Sequence, residues 1–215
     1  MPKIKIPRKS THIDMTAMCD VAFLLLTFFM LATKFKPIEP VVVRTPASTS
    51  TRQIPEGFIQ ITLDKDGRVF YAIDNLNAKR AIIDQIDENK SLGLTEAEKQ
   101  NFLVGSAIGV PGSQLKSYLD LSPAQQEQDA KTAPGIPTET TADFDTNELA
   151  YWITTSRYNM DKARIAIKAD GAAAYPAINK VITTLGKQKI FRFSFITDMK
   201  NAPPGTALFK ERNEW

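Results

Sequence analysis

Seventeen consecutive residues, Ala17-Met-Cys-Asp-Val-Ala-Phe-Leu-Leu-Leu-Thr-Phe-Phe-Met-Leu-Ala-Thr33, contain no Lys, Arg, Glu, Gly or Pro and a single charge, Asp20. As a helix this run rises about 25 Å at ~1.5 Å per residue, and Ile13, Met15 and Phe35 can extend it. That is the short end of the range for spanning a bilayer, roughly 17–25 residues. Residues 1–16 hold four bases (Lys3, Lys5, Arg8, Lys9) against Asp14, and the remaining chain balances 23 basic against 23 acidic residues. The whole excess charge of +3 therefore sits in an arm directly before the apolar run, which fits a cytoplasmic N-terminus. Lys34, Lys36, Arg44 and Arg52 follow the run, but a long domain translocates with little regard to such charges.

Other readings of the run compete. A cleaved signal peptide shares the basic and apolar layout, yet Asp20 interrupts the run and no small-x-small site follows it. A buried helix of a soluble protein, apolar on all sides, would need a large core around it. A plain membrane anchor does not explain Asp20, because an acid near a helix centre costs about 2.5–3.5 kcal/mol to insert. Such acids usually face a protein interior and mark ion or proton pathways. Apolar surroundings disfavour the charged form, which suits a proton carrier. Thr16, Asp20 and Thr27 fall on one narrow stripe of a helix, and that side expects a partner. Cys19 falls on a different face and reads as packing.

The segment His12-Ile-Asp-Met-Thr-Ala-Met-Cys-Asp-Val-Ala-Phe-Leu-Leu-Leu-Thr-Phe-Phe-Met-Leu-Ala32 resembles the transmembrane signature of the ExbD/TolR family: a polar lead, then an Asp-Val before a long apolar run. Thr45-Pro-Ala-Ser-Thr-Ser-Thr51 and Lys168-Ala-Asp170 are similar to later segments of that family. The resemblance implies a single-pass protein of the bacterial inner membrane, with its N-terminus cytoplasmic and its C-terminal domain periplasmic. It implies an ExbB/TolQ-type partner ring holding two copies of the helix, hence a homodimer, and a proton-driven motor in which Asp20 matches the essential membrane acid. The ExbD branch energises TonB-dependent uptake across the outer membrane through a TonB-like protein; the TolR branch serves envelope maintenance. A gliding-type motor is a further variant. The family's Pro is Ala17 here and its Asn is Asp14. Loss of the Pro removes a helix-start signal, while Asp14 can cap a helix beginning near Met15.

The chain then reads as a basic arm (1–12), a transmembrane helix (13–35), a linker (36–56), a periplasmic domain (57–200) and a tail (201–215). Pro37, Pro40, Pro46 and Pro55 make the linker extended, with a reach of up to about 70 Å at ~3.1 Å per residue. Either it is a passive tether or it docks when a motor is idle, and Val41-Val-Val-Arg44 could pair as an edge strand. In the domain, Phe58–Leu63 and Arg68–Ile73 flank Asp64-Lys-Asp-Gly67, a hairpin pattern. Ala78–Glu88 has helical spacing, Arg164–Ala169 reads as a strand, Tyr175–Lys187 as a helix and Arg192–Thr197 as a strand. The fold class is α+β, a single N-terminal transmembrane helix followed by a small β-β-α-β-α-β domain, expected to form a mixed sheet with helices on one face.

Residues 91–145 form an insertion relative to compact family members. It holds a capping box at Thr95-Glu-Ala-Glu98, with a helix from Glu96 to Leu103, and a Ser122-Pro123 helix start. Thr132–Asp143 reads as a Pro/Thr loop, and Asp145-Thr-Asn-Glu148 opens a helix through Arg157. The insertion is either a partner-contacting elaboration or a tolerated surface addition. With the long linker it motivates a second class of function, a membrane-anchored module binding the envelope or peptidoglycan.

No phosphate loop, Gly-rich dinucleotide turn or HExxH occurs. One Cys and one His, His12, leave no disulfide framework or multi-His metal centre within one chain. Asp64 and Asp66 before Gly67 fit a turn rather than a calcium loop. A net charge of +3 is too weak to argue for nucleic acid. The expectation is a non-enzymatic protein with no cofactor, no metal and no nucleic-acid partner.

Overall fold

The computed structural model describes residues 15–32, 41–50, 57–138, 147–160, 163–200 and 206. The chain divides into two units, Met1–Pro37 and Ile38–Trp215. The described part of the first is one helix, α1 (Met15–Ala32). His12, Asp14 and the ends of the expected 13–35 span lie outside the described residues. The 18 residues of α1 rise about 27 Å, short of the roughly 30 Å of a bilayer's hydrocarbon core. Among the described residues no helix is long and apolar enough to cross a membrane.

The second unit is built on a four-stranded sheet of β2 (Phe58–Leu63), β3 (Val69–Ile73), β4 (Arg164–Ala169) and β5 (Phe193–Ile196), in the order β3-β2-β4-β5. β2 runs antiparallel to β3 and parallel to β4, and β4 is parallel to β5. The expected hairpin and both later strands are present. The hairpin closes where Asp64 turns the chain: its amide donates to the Arg68 carbonyl, its carboxylate pairs with the Arg68 guanidinium, and Gly67 takes a φ of 79°.

Strand register sorts the side chains into two faces. Ile73-Ile59-Ile165-Phe193 form one row across the sheet, Tyr71-Ile61-Ile167-Phe195 the next and Val69-Leu63-Ala169 a third. On this face lie α2 (Leu76–Lys90), α6 (Glu148–Asn159) and α7 (Tyr175–Lys187). They contribute Ile82, Ile83, Ile86, Leu149, Trp152, Ile153, Val181 and Leu185 to one continuous core with the strands. Each fully buried Ile or Leu contributes about 1.5–3 kcal/mol of transfer free energy.

Local chemistry sets the helix ends. Asn75 caps α2 by accepting from the Ala78 amide, and α2 ends at Ser91 in the left-handed region with φ 48°. The expected box at Thr95 and Glu98 starts α3 (Glu96–Val104). Ser122 and Gln125 form a second box at the start of α5 (Pro123–Asp129). α6 begins later than Asp145 suggested: its cap is Asn147, whose side chain accepts from the Ala150 amide, and Asp145 lies outside the described residues.

The segment expected as an insertion is not a surface addition over its described length. Phe102, Ala107, Ile108, Val110, Leu115, Tyr118, Leu119, Ala133 and Ile136 all belong to the core. Tyr71 and Ile108 exchange two backbone hydrogen bonds at 2.8 Å, and the Ile136 amide donates to the Val69 carbonyl at 2.8 Å. These close the outer edge of β3, which would otherwise offer unpaired backbone groups. The stretch expected as a Pro/Thr loop thus carries edge-sealing backbone. A 3-10 turn at Gly112–Gln114 and α4 (Leu115–Asp120) were not expected.

Candidate functional site

α1 places all three residues of the expected polar stripe on one helix, with Asp20 in its second turn. Asp20 and Thr16 are exposed and Thr27 is partly covered. The Thr27 hydroxyl donates to the Leu24 carbonyl of its own helix at 3.0 Å, so its polarity is satisfied locally. Around the stripe the helix exposes Met15, Met18, Val21, Phe23, Leu24, Leu25, Leu26, Phe28, Phe29, Met30 and Leu31, the last at 88%. An exposed apolar surface of this extent marks a membrane or protein interaction site. Cys19 is exposed and unpaired by any disulfide.

The second unit holds its own titratable groups in structural roles. Lys99 bridges Asp84 at 2.9 Å and Asp87 at 3.2 Å, tying α3 to α2. The Leu94 amide, 3.0 Å from Asp87 Oδ1, holds the Asp87 carboxyl below its usual range. Lys79 donates to the Leu103 and Gly105 carbonyls at the C-terminal end of α3, and burial lowers its pKa. Burial pushes the Tyr71 hydroxyl up; it is hydrogen-bonded to Ser156. A cleft of about 250 Å³ is lined by Ile86, Lys90, Leu115, Glu148, Tyr151 and Trp152, and its Glu148 carboxylate is engaged by the Gly112 amide at 2.7 Å. Among the described residues no group of three or more His, Cys, Asp or Glu is placed to hold a metal ion.

One arrangement was not anticipated. Val41–Arg44 forms no strand. Instead β1 (Ala47–Ser48) pairs in parallel with β6 (Asp198–Met199). Val43 is buried, and Val41 packs against the core. The Arg44 amide donates to Asp170 Oδ2 at 3.0 Å, and the Gly171 amide donates to the Arg44 carbonyl at 2.9 Å. The described part of the linker, 41–50, is therefore fastened to the domain over Val41–Ser48. The alternation of Val41 and Val43 about exposed Val42 was the available signal; Asp170 gave none that pointed to the linker.

The family model described as "Biopolymer transport protein ExbD/TolR" matches residues 7–200, and the chain belongs to this family. The match takes in α1, the described part of the linker and the six described strands. Neither the curated proteins nor the solved structures contain a match. Members of the family are inner-membrane-anchored transport-motor subunits that work with ExbB/TolQ-type partners in membrane complexes.

Proposed function

We propose that this chain is the ExbD-like subunit of a motor driven by the proton-motive force, with Asp20 as its proton carrier. One observation carries the reading: a lone acid, flanked by Thr16 and Thr27 on its stripe, on a helix that otherwise exposes large apolar side chains. In this reading the N-terminal segment that holds α1 crosses the inner membrane once, with the N-terminus in the cytoplasm and the unit from Ile38 onward in the periplasm. The apolar flanks seat against an ExbB-type partner ring that holds two copies of the helix. There Asp20 alternates between its protonated and charged forms. One charge crossing ~100 mV releases about 2.3 kcal/mol, so several protons combine to do mechanical work. The periplasmic unit passes this work to a TonB-like protein and so energises transport across the outer membrane.

The test is Asp20→Asn, which keeps the shape and removes the ionisable proton. The partner is expected to co-purify in unchanged amount while driven uptake of a TonB-dependent substrate is lost. Assembly with normal uptake would overturn the proton-carrier role. If the substituted protein fails to assemble, Asp20→Glu separates the roles, because it restores a titratable group at the same position.

A further inference from the structure

The geometry points to a binding site for a free neutral oligosaccharide in the cleft between α2 and α6. The cleft holds about 420 Å³, inside the roughly 300–1,000 Å³ of small-ligand sites. One wall is a stripe of α6: Tyr151, Thr154 and Tyr158 fall at i, i+3 and i+7, on one face of the helix. The two tyrosines stand two turns apart, a rise of about 10.5 Å at ~1.5 Å per residue, and Tyr158 is 83% exposed. The facing wall is α2, which brings Gln85 and Asn89, one turn apart, to the same cleft.

Bonds within the protein already orient the polar groups of both walls. Asn89 Nδ2 donates to the Tyr151 hydroxyl at 3.3 Å, which leaves Asn89 Oδ1 as an acceptor. Gln85 Oε1 accepts from Asn159 Nδ2 at 2.6 Å, which leaves the Gln85 Nε2 hydrogens as donors. The Thr154 hydroxyl donates to the Ala150 carbonyl at 2.9 Å and keeps its oxygen as an acceptor. Donors and acceptors thus stand together beside two aromatic rings.

A pyranose chain meets each of these features. Its hydroxyls both donate and accept, which matches a carboxamide donor next to a carboxamide acceptor. Its C–H faces carry slight positive charge and lie well on the electron-rich face of a tyrosine. Charged and wholly apolar ligands fit less well. Among the described residues no carboxylate lines this cleft to hold a cation, and the base that lines it, Lys90, already stands 5.2 Å from the Tyr151 ring centroid. An apolar ligand would leave the amides without partners, at a cost in free energy. The neighbouring cleft of about 250 Å³ shares Lys90 and Tyr151 and adds Ser113, so a chain of more than two rings has room to continue. Every group named lies in the unit from Ile38 onward, and the inference stands apart from the motor reading.

The experiment titrates the full chain in lipid nanodiscs, free of sugar-headed detergent, with maltotriose and with cellotriose, and reads saturation-transfer NMR on the sugar protons. Saturable binding of at least one triose is expected. Tyr158→Ala should weaken it about fivefold or more, the loss of one stacked ring, whereas Tyr158→Phe keeps the ring and should bind within about twofold of the parent. Both substitutions fall on an exposed side chain, so the fold is not at stake. Asn89→Ala, exposed on the opposite wall, should weaken binding from that side. Failure of both trioses to saturate the parent overturns the site. So does parent-like binding by both Tyr158→Ala and Asn89→Ala, which would put the sugar elsewhere on the chain. Retention of the parent on isolated cell-wall sacculi, with no response to either triose, also overturns it, because the stripe would then be a contact for the wall polymer and not for a free oligosaccharide.

Discussion

A β-carbon at Gly109 would come within 2.2 Å of Cδ1 of Phe70, a ring with no exposed surface. The Arg68 guanidinium lies 5.7 Å over the centroid of the same ring and donates to the Lys131 and Ala133 carbonyls. The segment carrying Gly109 is thus fitted to the hairpin. Gly109→Ala is expected to destabilise the protein by about 1–3 kcal/mol through overpacking. Urea denaturation followed by the fluorescence of buried Trp152 measures this. A loss below about 0.5 kcal/mol would mean that the segment yields freely and is not part of the core.

Asn147 joins two helices with one side chain. Its Oδ1 accepts from the Ala150 amide at 3.1 Å and its Nδ2 donates to Thr184 Oγ1 at 3.1 Å, with only 1% of the residue exposed. Asn147→Ala removes a helix cap and one of two hydrogen bonds at Thr184 Oγ1, which still donates to the Lys180 carbonyl at 2.9 Å, for an expected loss of about 1–2 kcal/mol. Asn147→Asp keeps the cap acceptor and loses the donor, so it should fall between the two. An alanine variant as stable as the parent would show the cap to be replaceable.

Backbone amides hold three carboxyls below their usual range: Leu94 on Asp87, Thr95 on Glu98, and Ala172 then Arg44 on Asp170. A folded pKa below the unfolded value means that the folded state binds fewer protons in between. This stability is whole above the ordinary carboxyl pKa of about 4 and is lost as pH falls through the lowered values. Denaturation midpoints should therefore agree at neutral and mildly acidic pH and drop below about pH 4. Asp87→Asn combined with Glu98→Gln should shallow that drop. A drop of unchanged size would place the acid sensitivity elsewhere.

Period and caps made much of this architecture legible. The hairpin, the strand at Arg164–Ala169 and the helix at Tyr175–Lys187 follow from alternation, turn residues and apolar spacing. The box at Thr95 and Glu98 is a local pattern and appears as such. What stayed hidden depends on contacts distant in sequence. Tyr71 meets Ile108, Gly109 admits Phe70, and Asp170 accepts from Arg44 across 126 positions. No local pattern encodes these pairings, so the segment after Ser91 read as an addition and the linker was open between a tether and a docking segment. At α1 the reverse holds. Asp20 stands out because composition alone makes an acid in that run costly.

The stripe on α1 also separates its own members. Thr27 already spends its hydroxyl on the Leu24 carbonyl at 3.0 Å, whereas the carboxyl of Asp20 is the only charged side chain on α1. A proton path through this face needs a group that ionises, and a threonine hydroxyl bonded within its own helix supplies none. On the proposed motor reading, Thr27→Val, which keeps the branched shape, should therefore leave driven uptake within about twofold of the parent, while Asp20→Asn abolishes it. Uptake of a TonB-dependent substrate, with partner co-purification as the assembly control, reads both. If Thr27→Val were as inactive as Asp20→Asn, with the partner still bound, the path would run along the whole stripe, and Asp20 would be one relay in it rather than the carrier.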